Sequence, residues 1–360
     1  MLRIVPRREP SRTMQILTPI LAVVLTILAG LVLFALLGKD PFRAIYIIFF
    51  QPLTSTYALA ELTVKATPLV LIGIGLAMGF RAGVWNIGGE GQFVMGALAG
   101  GSVALALHGS DGFWILPMMC VAGALGGMVW AAIPAFLRTR FNANEILTSL
   151  MLVYVAILLL SVLVHGPLRD PEGQNFPESR LFGDMMTLPV LIESTRAHVG
   201  FVVALIAIVV AWLFLQRHIL GFQIKVQGQA SQAARFAGYS EKRIIWLCLL
   251  TSGGLAGLAG TFEAAGPVGQ LVPGLPVGYG FTAIIVAFLG RLHPFGVLLG
   301  GLVMALTYIG GEAAQIAMSL PSATTRVFQG MLLFFLLAMD LLVNERIRWV
   351  PRPKSERAMG

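Results

Sequence analysis

The side chains best suited to chemistry lie in one stretch, Phe80 to Ala97. It sets Asn86, Glu90 and Gln92 among Gly83, Gly88, Gly89, Gly91 and Gly96, between two apolar runs. Clustered glycines interrupt a helix. Interrupted backbone is tolerated at membrane depth only where protein covers it or it lines a cavity. A carboxylate beside it is costly unless paired or wet. Two readings stay open: a re-entrant or broken segment beside a solute path, or a turn whose Glu90 caps the next helix. No P-loop lysine follows these glycines, so they do not read as a phosphate cradle.

A second candidate runs from Thr261 to Thr282 and is rich in Gly and Pro. Phe262, Tyr279 and Phe281 can stack on a base or sugar ring, and Glu263 is a polar candidate beside them. The stretch reads either as a re-entrant gate or as an outer loop with packing aromatics, with Glu263 as a helix cap. Conventional catalytic sets are missing: the sequence contains no G-x-x-x-x-G-K-[ST], G-x-S-x-G or H-E-x-x-H. The five histidines are scattered without metal spacing, and Cys120 and Cys248 sit alone inside apolar runs. Neither a metal nor a disulfide is expected. Glu61, Lys65, Glu145, Glu312 and Asp340 fall near the ends of apolar runs and read as interfacial or capping residues.

The elements that must carry these residues follow from composition. The 360 residues are 57% hydrophobic and 12% charged, against about 25% charged in soluble domains. So little polar surface cannot cover a water-soluble body, and the bilayer is the natural solvent. The 41 glycines suit close helix packing in lipid. The net charge of +8 reads as membrane anchoring, with no nucleic-acid partner. Apolar runs predict about ten spans near 16–37, 62–80, 92–108, 113–137, 145–165, 199–215, 244–262, 277–290, 294–311 and 325–343. The second and eighth are short or broken by Gly and Pro. With the N-terminus inside, 18 of the 25 basic residues fall on the inner side. Lys39, Arg43, Lys65, Arg169, Arg180, Arg196 and Arg326 remain for the outer side. The positive-inside rule then places both termini in the cytoplasm. The expected fold is an all-α polytopic membrane protein: a basic tail over 1–14, a membrane domain over 15–343 and a second basic tail over 344–360. Residues 166–198 form a long outer loop and 216–243 a long inner one.

Asn86-Ile-Gly-Gly-Glu-Gly-Gln92, with Met95-Gly-Ala97, resembles the N-x-G-x-E-G-Q…GA signature of a bacterial ATP-binding-cassette (ABC) permease family that serves importers of branched-chain amino acids, ribose-type sugars and nucleosides. The Glu-Gly-Gln form is similar to its nucleoside and simple-sugar branch. The Gly-Ile-Asp-Leu-Ser pattern of ribose-type members is missing. Gly228 to Arg243, followed by Thr251-Ser-Gly-Gly-Leu-Ala-Gly-Leu-Ala-Gly260, resembles the family's cytoplasmic loop and the helix after it. The resemblance covers most of residues 60–345. It implies that Gly228, Ala230, Ala233, Ala234, Arg235, Ala237 and Gly238 belong to a coupling helix docked on an ATPase. Independently, Ala230, Ala233, Ala234 and Ala237 recur at helical spacing, and Gly238 would end that helix. An ordinary amphipathic loop helix is the alternative.

The resemblance further implies a multi-pass protein of the bacterial cytoplasmic (inner) membrane that imports a nucleoside or simple sugar. It would bind no cofactor itself, ATP being used by a cytoplasmic ATPase partner. A second permease and an extracytoplasmic solute-binding protein complete the expected assembly. Two other classes stay in view. An ion-coupled secondary transporter would pair two broken helices at the midplane, and a membrane enzyme would need a nucleophile–base set that the sequence does not show.

Overall fold

A computed structural model describes residues 2–6, 12–173 and 175–349. Thirteen α-helices run through it: α1 Arg12–Leu36, α2 Pro41–Phe49, α3 Thr56–Arg81, α4 Gly89–Ala106, α5 Ile115–Phe141, α6 Glu145–His165, α7 Gly200–Arg217, α8 Ile219–Gln229, α9 Ser231–Phe236, α10 Glu241–Glu263, α11 Tyr279–Leu289, α12 Pro294–Met318 and α13 Ser322–Asn344. Arg7, Arg8, Arg352, Lys354 and Arg357, assigned to the inner side by the charge pattern, lie outside the described residues, as does the side chain of Asp340.

Among the described residues, eight helices are long and apolar enough to cross a membrane: α1, α3, α5, α6, α7, α10, α12 and α13. Each of the ten predicted spans coincides with a helix. Two helices fall short of that standard: α4, whose first turn holds Glu90 and Gln92, and α11, with 11 residues. The expectation of a short or broken second span is corrected. α3 is continuous for 26 residues despite Pro68. Neighbouring helices surround it, and 83% of its apolar window is buried against 17% for α7. A proline in a membrane helix is tolerated under such cover.

The chain divides into two compact units, Met1–Phe50 with Gly311–Gly360, and Gln51–Gly310. In the first, Phe34, Ala44, Ile47, Ile48, Ala314, Met318 and Leu320 form a core. Asp40 starts α2 by accepting from the Phe42 and Arg43 N–H groups at 3.0 and 3.2 Å, with Pro41 at the first helical position. Leu2–Pro6 pairs antiparallel with Glu345–Trp349.

The second unit is centred on α3, α4, α5 and α10. Here glycine is a packing requirement. A Cβ on Gly257 of α10 would lie 2.2 Å from the Gly123 carbonyl of α5, and one on Gly96 of α4 would lie 2.1 Å from the Gly257 Cα. Gly123 and Gly127, like Gly253 and Gly257, are four residues apart, so each helix presents a bare stripe to the other. Thr261 adds a bond, its hydroxyl donating to the Gly96 carbonyl at 3.2 Å. The α5–α6 turn is fixed by Asn142 in the left-handed region (φ 54°) and by Asn144, whose Oδ1 accepts from the Ile146 and Leu147 N–H groups. Arg138 and Glu145 pair across it.

Residues 166–199 do not form a separate domain. They hydrogen-bond to the segment that follows α10. The Ser179 N–H donates to the Leu271 carbonyl (3.0 Å), Phe182 N–H to the Gly269 carbonyl (2.9 Å) and Leu188 N–H to the Ala265 carbonyl (2.8 Å).

Candidate functional site

Two buried polar clusters and one exposed helical hairpin receive the residues singled out by sequence. The first cluster forms where α3 turns into α4. The turn closes on itself, with Val84 N–H donating to the Gly79 carbonyl at 2.9 Å and Gly83 at φ +73°. Asn86 and Gln92 then pair. The Asn86 Nδ2 donates to Gln92 Oε1 at 2.8 Å and to Ser252 Oγ of α10 at 3.0 Å, and Gln92 Nε2 returns a bond to Asn86 Oδ1 at 3.1 Å. The same Oδ1 accepts from the Gly88 N–H at 3.0 Å, and Ser149 Oγ of α6 accepts from the Ile87 N–H. Asn86 and Gln92 are both 1% exposed. Their amide groups are thus used inside the protein.

Glu90 faces α11. Its two oxygens accept from the Gly278 N–H at 2.8 Å and the Gly280 N–H at 2.5 Å. Gly280 is what permits this approach, since a Cβ there would sit 2.1 Å from the Glu90 nitrogen. Glu90 therefore supplies the missing partners for the opening N–H groups of a helix far along the chain.

The second cluster lies where α10 breaks. Glu263 is the last α-helical residue before a π-helical turn, Ala264–Val268, and Gly269 follows in the left-handed region. Such turns are frequent at functional sites. The Tyr279 hydroxyl donates to Glu263 Oε1 at 3.2 Å. The Lys65 Nζ of α3 stands 5.7 Å from the Tyr279 ring centre, and the Phe93 and Tyr308 rings stand 5.8 and 5.6 Å from it. Tyr308 and Thr282 share a hydroxyl–hydroxyl bond of 2.8 Å. One turn before Lys65, Glu61 takes a two-pronged bond from Arg196, at 2.8 Å from Nε and 2.5 Å from Nη2. Hydrogen bonding to Glu61 raises the Arg196 pKa further. His198, beside it in the same loop, is buried and its pKa is pushed down to about 4.

Of the aromatics proposed for ring stacking, Tyr279 alone joins this cluster. Phe262 is buried against Gly200, and Phe281 is 38% exposed. Sequence reasoning missed Lys65, Thr282, Ser252 and Tyr308 as members. Glu61 and Lys65 carried a signal, being charges four apart in an apolar helix. Ser252 and Tyr308 carried none.

The third feature is the hairpin of α8 and α9. Gly228 lies against the end of α3, where a Cβ would fall 1.9 Å from the Arg81 carbonyl. The alanine spacing predicted one helix through Ala230, and the structure corrects this. Ala230 is extended (φ −153°, ψ 74°) and α9 begins at Ser231. Ala234 is fully buried, whereas Ala230, Ala233, Arg235, Ala237 and Gly238 are exposed, and Phe236 is 93% exposed. Gly238 (φ +78°) ends the helix as expected, with its N–H on the Arg235 carbonyl and the Tyr239 N–H on the Ala234 carbonyl.

The chain thus packs membrane-length helices on glycine around buried polar groups, the architecture of a polytopic membrane protein. A family model described as "branched-chain amino acid transport system / permease component" matches residues 58–337, and the chain belongs to that family. It is 36% identical to a glucose ABC transporter permease protein of Haloferax volcanii, over 96% of this chain and 93% of that one. It is 29% identical to a guanosine ABC transporter permease protein of Bacillus subtilis (90% and 94%) and 25% identical to a nucleoside ABC transporter permease protein of Lactococcus lactis (97% and 96%). The chain is accordingly an ABC permease subunit of a multi-pass membrane protein type, and the ATPase is a separate subunit.

Proposed function

We propose that this permease imports a small neutral polyhydroxylated solute, a nucleoside or a simple sugar, across the cytoplasmic (inner) membrane. The similarity carries the reading: the chain aligns almost end to end with permeases named for glucose and for nucleosides. It spans the membrane ten times with both ends in the cytoplasm. α4 supplies one of the two crossings beyond the eight long helices, and the broken segment 264–278 with α11 supplies the other. The pairing of Leu2–Pro6 with Glu345–Trp349 supports an even number, since it keeps the segments before α1 and after α13 on one side.

Asn86, Glu90, Gln92, Phe262, Glu263, Tyr279 and Phe281 mark the solute path in this reading, either lining it or holding the broken helices around it. The exposed hairpin, Gly228 to Gly238, is the lever. ATP binding closes a pair of cytoplasmic ATPase subunits, which push the hairpin. A second permease moves with it, and the path switches between outward and inward access, a rigid-body change biased by a ligand. Solute arrives on an extracytoplasmic binding protein docked over residues 166–198. The permease binds no cofactor, since ATP is used by its partner.

Reconstitution tests this. The permease is placed in liposomes with its ATPase and binding protein, and uptake of inosine and of glucose is followed. Uptake of one of them is expected to require ATP on the ATPase side and to ignore a protonophore. Uptake that survives ATP removal and collapses with the protonophore would overturn the reading.

A further inference from the structure

We propose that Glu263, Tyr279, Thr282, Tyr308 and Lys65 form a binding station for the vicinal hydroxyls of the solute. The inference rests on the solute reading above and adds which part of the solute the membrane subunit itself recognises. Four helices, α3, α10, α11 and α12, bring these groups together. The station holds a carboxylate, an ammonium and three hydroxyls, two bonded at 2.8 Å and one donating to the carboxylate at 3.2 Å. Each hydroxyl both donates and accepts. A diol needs that alternation, because each of its oxygens is donor and acceptor at once. The carboxylate accepts two O–H groups, and the Tyr279 and Tyr308 rings, 5.6 Å apart, offer apolar faces to the C–H side of a sugar ring.

Packing gives no reason for these residue types. Phe and Leu would fill the same positions without burying a carboxylate in an apolar bundle. Tyr279 is fully buried and Glu263 is 7% exposed, while Lys65 and Tyr308 are half-buried and mark the side from which a solute would enter. Glu263 sits at the start of the π turn, where helix α10 changes course and where its side chain can be re-aimed as the path switches.

The test compares each solute with its deoxy counterpart in the complete reconstituted transporter: inosine against 2′,3′-dideoxyinosine, and glucose against 2-deoxyglucose. Binding of all four to the isolated binding protein is measured in parallel, and its share of the preference is divided out. The remaining preference for the hydroxylated solute is expected to shrink about tenfold in Glu263→Gln and Tyr279→Phe, the scale of a hydrogen bond to a charged group. It should shrink less in Thr282→Val and Tyr308→Phe, which remove one hydroxyl each and guard against loss of the fold. An unchanged preference in the variants that still transport overturns the station. So does equal transport of inosine and its dideoxy analogue, which assigns recognition to the base, and so does transport of none of the four. ATP-independent uptake by the wild type would instead sink the ABC reading, and it is read in the same assay.

Discussion

Glu90 accepts the Gly278 and Gly280 N–H groups at the start of α11. Glu90→Ala would strip both of this acceptor, the Gly280 N–H buried and the Gly278 N–H half-buried, at about 1–3 kcal/mol for the buried one. The melting temperature of the purified permease in detergent is expected to fall clearly in Glu90→Ala and less in Glu90→Gln, whose amide oxygen still accepts one bond. His198 adds a pH dependence. Its pKa falls from 6.5 to about 4 on folding, because burial disfavours the charged ring. Between those values the unfolded chain binds a proton that the folded chain refuses. Stability is therefore fully present above pH 6.5 and falls as pH drops through the window, by about 3 kcal/mol in all. Melting curves between pH 7 and pH 4 should show this decline, and His198→Phe should flatten it. At this scale the sequence was legible for residue type and not for partner. Glu90 stood out as a carboxylate among glycines, but the expected cap of the next helix, α4, is corrected, since both oxygens go to α11. The helix it caps begins at Tyr279, and no local pattern links the two positions.

Among the elements, the glycine stripes of α5 and α10 determine whether the bundle closes. Gly257→Leu places a branched side chain where 2.2 Å separates a Cβ from the Gly123 carbonyl. Loss of monodisperse protein in size-exclusion chromatography is the expected result, with Gly254→Ala, 3.1 Å from the flexible Met128 side chain, as the tolerated control. The α8–α9 hairpin predicts a different phenotype. Phe236 is almost wholly exposed and supports no core. Phe236→Ala should leave melting unchanged but weaken co-purification of the ATPase. Gly238→Pro, which cannot adopt φ +78°, should uncouple ATP hydrolysis from uptake in membranes that still contain the protein. Apolar runs located the eight membrane-length helices, together with α4 and α11, because lipid demands a continuous run. They could not show that α8 and α9 are separate, since the four alanines keep one spacing while Ala230 turns the backbone. Nor could they show that α3 survives Pro68, which depends on neighbours packed around it.

For the whole molecule, charge asymmetry and the pairing of Leu2–Pro6 with Glu345–Trp349 make one statement about sidedness. Single cysteines at Arg235 and at Glu193, in a background without Cys120 and Cys248, should label from opposite sides of sealed vesicles. Labelling from one side would refute the ten-crossing arrangement. The family match, residues 58–337, starts near the beginning of the second unit at Gln51 and runs past its end at Gly310.

The start of α11 has one more consequence. A half-length helix beginning inside an apolar body exposes the positive pole of its peptide dipoles, a place where an anion would settle. Here that pole is already matched by a carboxyl group from the same chain. A phosphorylated or carboxylate-bearing cargo would meet a helix start already neutralised by Glu90.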